Sequence, residues 1–153
     1  EIIIPFVGKT VVLDKWVYIV LLFFVVLGTV NGANFTDGLD GLASSVTALI
    51  ATFFTVVAIG TGSGLAPISC AAMGSLLGFL VYNVYPARVF MGDTGSLALG
   101  GFVASIAYML KMPLFILIVA FIYFIEVLCA FSLRYIHILF LYLFVHNLRK
   151  QLI

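Results

Sequence analysis

Three aspartates are the residues of this sequence best suited to chemistry. Asp37 and Asp40 lie three residues apart, Asp93 follows later, and each has a glycine beside it in the chain. Glycine lets the backbone turn sharply and lets a ligand approach closely. Carboxylate oxygens with open coordination positions suit a Mg²⁺ ion that bridges to substrate phosphates. The pattern indicates a cation site, with a proton path as the alternative.

The same aspartates have a simpler interpretation as helix caps. Aspartate is a favoured N-cap residue, and both acidic segments stand just before a predicted helix. Capping does not explain why Thr36, Asp37 and Asp40 crowd together in the sequence. It also leaves unexplained the asparagines that accompany them, Asn31, Asn34 and Asn83. A polar ligand site accounts for the whole group better.

The elements that must position these residues are membrane helices. The sequence is 65% hydrophobic and 8% charged, and its mean hydropathy is +1.32. A soluble domain is about 45–50% apolar and about 25% charged. Five apolar stretches, each approaching the length of a bilayer crossing, predict spans at 16–30, 42–59, 65–84, 96–110 and 114–131. We therefore predict an all-α membrane protein, a bundle of about five transmembrane helices in contact with membrane lipids.

The two ends of the chain are predicted to differ from this bundle. Residues 2–13 carry two short β-prone runs, which predict a small hairpin outside the membrane. The apolar stretch 135–145 is too short to cross unaided and predicts a short interfacial segment. We expect one transmembrane domain over 1–153, with the hairpin in 1–15, the helices in 16–131 and a divergent tail in 132–153. The chain opens without Met, so we expect it to be a fragment of a larger bundle.

Counting crossings places the three aspartates together. The first acidic segment connects the first and second predicted spans, and the second connects the third and fourth. Two crossings separate them, so all three carboxylates should emerge on the same membrane face. A transporter usually sets its ionisable groups near mid-membrane, whereas these lie at span ends. A transporter and a non-catalytic helical subunit are the alternatives from other functional classes.

Two segments carry a family resemblance. Residues 31–43 read NGANFTDGLDGLA, and residues 82–96 read YNVYPARVFMGDTGS. Both resemble signatures of the polyprenyl-phosphate N-acetylhexosamine-1-phosphate transferases, in the same order along the chain. The resemblance covers about residues 2–128. Thr36 and the continuation 94–96 are most similar to the branch that acts in peptidoglycan and cell wall biogenesis.

The resemblance implies a phosphoryl-transfer reaction. Members of that branch transfer phospho-N-acetylmuramoyl-pentapeptide from UDP-MurNAc-pentapeptide to undecaprenyl phosphate, with Mg²⁺ as cofactor, giving lipid I and UMP. The alternative is a related enzyme that uses UDP-N-acetylglucosamine. Further implied are a homodimer and a bacterial inner (cytoplasmic) membrane location with a cytoplasmic active face, because UDP-sugars are cytoplasmic. No nucleic-acid partner is expected, since the net charge is only +1 and no basic stripe exists.

Roles follow residue by residue from the same resemblance. Asp93 would ligate Mg²⁺ on the diphosphate, and Asp37 and Asp40 would shape the catalytic site around the metal and phosphates. Substrate-binding roles fall on Asn34, Asn83 and Phe90, the last two at the uridine.

The sequence also departs from the family pattern. The family carries an earlier helix with adjacent aspartates and a later loop with consecutive histidines. This chain begins after the former and has only lone histidines, His137 and His146, to which we assign no catalytic role. We therefore expect the chain to lack part of the catalytic equipment and to be an incomplete, inactive copy by itself.

Overall fold

A computed structural model describes residues 1–135, and most of these residues are helical. Two short strands, β1 (Ile2–Ile3) and β2 (Thr10–Val11), come first. The helices that follow are α1 (Lys15–Thr36), α2 (Leu42–Thr61), α3 (Ala66–Asn83), α4 (Gly92–Met109), α5 (Ile116–Val119) and α6 (Phe121–Tyr135), with a 3-10 turn at Pro113–Phe115 before α5. The predicted helical fold class is confirmed.

Helix α2 lies at the centre of the packing and contacts α1, α3 and α4. In their most apolar stretches, 56% of the residues of α2 are buried, against 17% in each of α1 and α3. The core combines side chains of α2, α4 and α6: Val46, Ile50, Phe54, Val103, Ile106 and Tyr123. The outer faces of α1 and α3 are apolar and exposed. Such faces suit contact with lipid tails, which are as apolar as the side chains.

The predicted count of five membrane crossings is not confirmed. Within residues 1–135, three helices, α1, α2 and α3, are long and apolar enough to cross, and a fourth crossing arises only if the bent pair beginning at Pro113 is one span. Helix α4 begins before the predicted fourth span, 96–110, and its polar start, which includes Asp93, lowers the mean hydropathy of the helix. The predicted fifth span, 114–131, is broken near Ala120, where the chain bends by 74°. The predicted interfacial segment, 135–145, lies almost entirely outside the described residues.

The N-terminal strands form an antiparallel pair, with Ile2 opposite Val11 and Ile3 opposite Thr10. The pair is tied to the loop after α4, because the Ile3 N–H donates to the Lys111 carbonyl at 2.7 Å. An exposed ion pair between Lys111 Nζ and Glu1 Oε2, 2.8 Å apart, joins the same two segments. This strand pair falls within the range predicted for the hairpin and lies at the end of α4 away from Asp93. Its position outside the membrane stays a prediction.

A close approach of α1 and α4 sets the geometry of the site described below. A Cβ atom added at Gly100 would lie 2.5 Å from the Val30 Cα and 2.7 Å from the Thr29 carbonyl oxygen. Only glycine therefore allows these two backbones to come so near. The same pair of helices carries Asn34 near the end of α1 and Asp93 near the start of α4.

Candidate functional site

The end of α1 and the start of α4 meet through Asn34. Its amide Nδ2 lies 3.3 Å from Asp93 Oδ1 and 3.0 Å from Ser96 Oγ, and it donates to both. Asn34 and Asp93 are 59 residues apart in the sequence. The two acidic loops therefore surface together at one end of the bundle, as the count of crossings predicted.

Asp37 lies beside this contact, at the C-cap of α1. Partial burial, and secondly the negative charge of Asp93, raise the pKa of the Asp37 carboxyl above its ordinary value. The Asp37 backbone N–H donates to the Asn34 carbonyl at 3.1 Å, and the Asn34 side chain donates to Asp93, so the two aspartates lie at the same end of the bundle. Asp37 is half-buried there and Asp93 is exposed.

Asp40 faces a different partner. Its Oδ2 accepts a hydrogen bond of 2.9 Å from the Ala87 backbone N–H, in the loop between α3 and α4. Gly41 next to it has φ +75° and packs against the Asn83 carbonyl and the Val84 Cα, each 3.5 Å from where a Cβ would stand. Asp40 therefore links the two connecting loops to each other, and the left-handed backbone at the neighbouring position favours glycine.

Asn83 is almost fully buried, with 3% of its surface exposed. Its Nδ2 donates to the Val89 carbonyl at 2.9 Å, and its Oδ1 accepts from the Ser44 hydroxyl at 2.8 Å. The amide predicted to contact a uridine is engaged at both ends with the protein itself. Sequence reasoning missed Ser44, because a serine in the first turn of an apolar helix carries no signal of a partner 39 residues away.

Phe90 stands in the loop between α3 and α4 and is 70% exposed. The preceding part of this loop is held by backbone bonds from Arg88 N and Val89 N to the Tyr82 carbonyl, at 2.8 and 3.3 Å. An exposed aromatic ring on an anchored loop offers a face on which a planar base can stack. The contact of this ring with a uridine, which the resemblance implied, stays a prediction.

Comparison with known proteins identifies the family. The profile of glycosyl transferase family 4 matches residues 1–111, a range that contains every residue of the site. This chain belongs to glycosyl transferase family 4. Among curated relatives, phospho-N-acetylmuramoyl-pentapeptide-transferase of Clostridium novyi is 55% identical over 129 residues, which are 84% of this chain and 39% of that protein. The enzyme of the same name from Acetivibrio thermocellus is 50% identical over 132 residues, 84% of this chain and 40% of the relative. The chain thus spans about two fifths of the length of these relatives.

The side chains of this family 4 chain fit a magnesium ion only in part. In the region 1–135 no group of three or more His, Cys, Asp or Glu side chains is arranged to hold a metal. Mg²⁺, however, is usually bound through one or two carboxylates together with substrate phosphates and waters. Asp93 is exposed and Asp37 half-buried beside it, so each offers a carboxylate for such an ion, whereas Asp40 Oδ2 accepts from the Ala87 amide. The predicted Mg²⁺ ligand role of Asp93 therefore stays a prediction, and Asp40 differs from the other two aspartates in its bond to the neighbouring loop.

Proposed function

We propose that this chain carries the magnesium-binding and nucleotide-binding part of a phospho-N-acetylmuramoyl-pentapeptide-transferase. The reaction would transfer phospho-N-acetylmuramoyl-pentapeptide from its UDP conjugate to undecaprenyl phosphate, giving lipid I and UMP in peptidoglycan biosynthesis. The observation that carries the proposal is the pair of hydrogen bonds by which Asn34 connects Asp37 and Asp93 at one end of a membrane bundle. The names of the relatives in the same family support the choice of substrate.

The site suits this reaction because phosphoryl transfer depends chiefly on positioning and on neutralising charge. An oxygen of undecaprenyl phosphate would attack the phosphorus that bears the sugar, while the bond from that phosphorus to the UMP oxygen breaks. UMP leaves with the electron pair of that bond. A bound Mg²⁺ would neutralise charge on the diphosphate. Asp37 and Asp93 would hold this ion, and Asn34 would keep the Asp93 carboxylate oriented through its 3.3 Å hydrogen bond.

The nucleotide would lie on the loop between α3 and α4. The exposed Phe90 ring is the group available for stacking on a uracil base. Asn83 would act mainly through this loop, since its amide already binds Ser44 and Val89. Asp40 would act in the same way through its bond to the Ala87 amide.

The position of the site at the helix ends suits a lipid-linked acceptor. The isoprenoid tail of undecaprenyl phosphate is dissolved in the bilayer, so its phosphate can be reached only at a membrane face. The donor, a UDP conjugate, is cytoplasmic. We therefore propose a multi-pass protein of the bacterial inner membrane whose acidic end faces the cytoplasm, and the predicted homodimer stays a prediction.

A chimera tests the proposal. The matched 129-residue segment of the Clostridium novyi relative is replaced by that of this chain, and Mg²⁺-dependent UMP release is measured in nanodiscs that contain undecaprenyl phosphate. We expect the chimera to be active. Asp93→Asn in the chimera should abolish the Mg²⁺-dependent rate while the protein stays folded, because Asp93 is exposed and its substitution empties no core space.

Asp14→Asn is the matched control for this test. Asp14 caps the start of α1, where its carboxylate accepts from the Trp16 N–H at 2.9 Å. Asparagine is an equally good N-cap, so this variant should keep both stability and activity. Unchanged turnover of Asp93→Asn would remove Asp93 from the metal site, and a chimera without UMP release would refute the proposed transferase.

A further inference from the structure

We propose that Ser44 is a positioning residue of the nucleotide site. Through Asn83, its hydroxyl fixes the loop 84–91, and this loop sets where Phe90 stands for a base. The nucleotide part of the inference rests on the proposed function. The structural part, a bond from α2 that holds the loop, stands apart from it.

The orientation of the Asn83 amide follows from its partners. A backbone carbonyl can only accept a hydrogen bond, so the group facing the Val89 carbonyl at 2.9 Å must be Nδ2. The amide oxygen then faces Ser44 Oγ, 2.8 Å away, and the hydroxyl must be the donor. Ser44 is completely buried and Asn83 nearly so. The two hydrogen bonds thus form a continuous series, in which Ser44 donates to Asn83 and Asn83 donates to the Val89 carbonyl.

Ser44 differs from the other hydroxyl residues of α2, a helix that the structure describes in full. The other five donate to a carbonyl three or four residues earlier in their own helix: Ser45, Thr47, Thr52, Thr55 and Thr61. Such bonds within one helix are the ordinary use of a hydroxyl at an apolar position. Ser44 instead gives its one proton to a side chain of α3. Its hydroxyl therefore links two elements rather than satisfying its own helix.

Two links from the start of α2 converge on the same loop. Asp40 accepts from the Ala87 amide, and Ser44, four residues later, reaches Val89 through Asn83. Phe90 follows Val89 directly and is exposed. Loss of the Ser44 hydroxyl would leave the buried Asn83 oxygen without a partner, which favours a shift of the amide and of the loop it holds. The expected result is a looser loop and a less well-oriented Phe90 ring.

The chain offers a closely matched control in Ser69. Its hydroxyl is also fully buried and also joins α3 to α2, donating to the Ala51 carbonyl at 2.8 Å. The bond lies near the start of α3, away from the loop 84–91. Ser44→Ala and Ser69→Ala therefore delete the same group from the same helix pair, and only the first deletion touches the loop.

Hydrogen–deuterium exchange of the full chain in detergent micelles is the first measurement. The amides of Ala87, Arg88 and Val89 are hydrogen-bonded in the structure and should be protected. We expect Ser44→Ala to speed their exchange at least tenfold, equivalent to about 1.4 kcal/mol, and Ser69→Ala to leave it unchanged. In an Asn83→Ala background, Ser44→Ala should add no further change. Ser44→Cys, whose thiol is a weak donor, should give an intermediate rate and serves if the alanine variant does not fold.

UMP affinity in the presence of Mg²⁺ is the second measurement. We expect Ser44→Ala to weaken UMP binding about tenfold while Ser69→Ala binds as the wild type does. Equal effects of the two variants on exchange and on affinity would overturn the inference, because Ser44 would then be an ordinary packing residue. If the wild-type chain binds no UMP, the proposed nucleotide site is wrong. Faster loop exchange in Ser44→Ala alone would still support the structural part, the bond from α2 that holds the loop. If Ser44→Ala does not speed loop exchange, the structural part is overturned as well.

Discussion

The close approach of α1 and α4 at Gly100 offers the sharpest test of how the fold sets the site. In Gly100→Ala the new methyl group would stand 2.5 Å from the Val30 Cα. Carbon atoms pack at about 3.5–4.0 Å, so the helices must separate by about 1 Å. Overpacking of this kind costs about 1–3 kcal/mol. We expect the free energy of unfolding of Gly100→Ala to be lower by that amount than that of the control variant Gly101→Ala.

The same displacement should reach the acidic site. Ser96 lies one helical turn before Gly100, and its Oγ is 3.0 Å from Asn34 Nδ2. The Asn34 contact with Asp93 is already 3.3 Å long. An added separation of about 1 Å takes both distances beyond hydrogen-bonding range. In the chimeric transferase, a displacement of this size can lower the rate on the order of a hundredfold.

Gly101→Ala provides the control, because a Cβ at Gly101 meets nothing within 4 Å. Both substitutions gain the same helix propensity, about 1 kcal/mol, so the difference between the two variants isolates the contact. Unfolding is followed by circular dichroism in detergent micelles, and UMP release is followed in the chimera. Equal unfolding free energies and equal rates for the two variants would refute the close approach and its role in placing Asp93.

Three further predictions concern single side chains. The pKa of Asp37 is raised in the folded protein, so ionisation of this carboxyl lowers stability. Without divalent cations the wild type should lose stability as pH rises above about 4, and Asp37→Asn should lose less. Melting curves at several pH values test this, and coinciding profiles of the two proteins would contradict it. Asp40→Asn keeps an oxygen for the Ala87 amide and should preserve the slow exchange of that amide, whereas Asp40→Ala should lose it; equal exchange in both would show that the bond does not hold the loop. Tyr123→Phe removes a buried hydroxyl pair with Thr47 and should lower the free energy of unfolding by about 0.5–1.5 kcal/mol, while an unchanged melting curve would mean that the pair contributes nothing.

Part of the candidate site could be predicted before any coordinates were known. The glycine-flanked aspartates and the number of apolar stretches between them were sufficient to expect Asp37 and Asp93 on one face, and Asn34 connects them at one end of the bundle in the structure. The same reasoning grouped Asp40 with them. Sequence spacing cannot say which way a carboxylate turns, and the bond to the Ala87 amide separates Asp40 from the other two.

The number of crossings shows a similar limit. Composition predicted a membrane bundle, and three of the five expected spans are long, apolar helices in residues 1–135. The stretch 114–131 is apolar on both sides of Ala120 apart from Glu126, so hydropathy gives no sign of the 74° bend near Ala120. At the bend the Tyr123 backbone N–H donates to the Ala120 carbonyl at 2.9 Å, and the average hydropathy of a stretch contains no information on such a local bond.

The sequence by itself determined the membrane class, the helical composition and the acidic residues that meet at one end, because hydropathy and loop position are local properties of the chain. Only the tertiary structure decided which polar groups pair with each other. Ser44 and Asn83 are 39 residues apart, and Asn34 and Asp93 are 59 apart. Gly100 lets the backbones of α1 and α4 approach closely, and Gly41 permits the left-handed turn that leads into α2. A hydrogen bond requires its two atoms within a few tenths of an ångström of one distance, and helix packing supplies that precision.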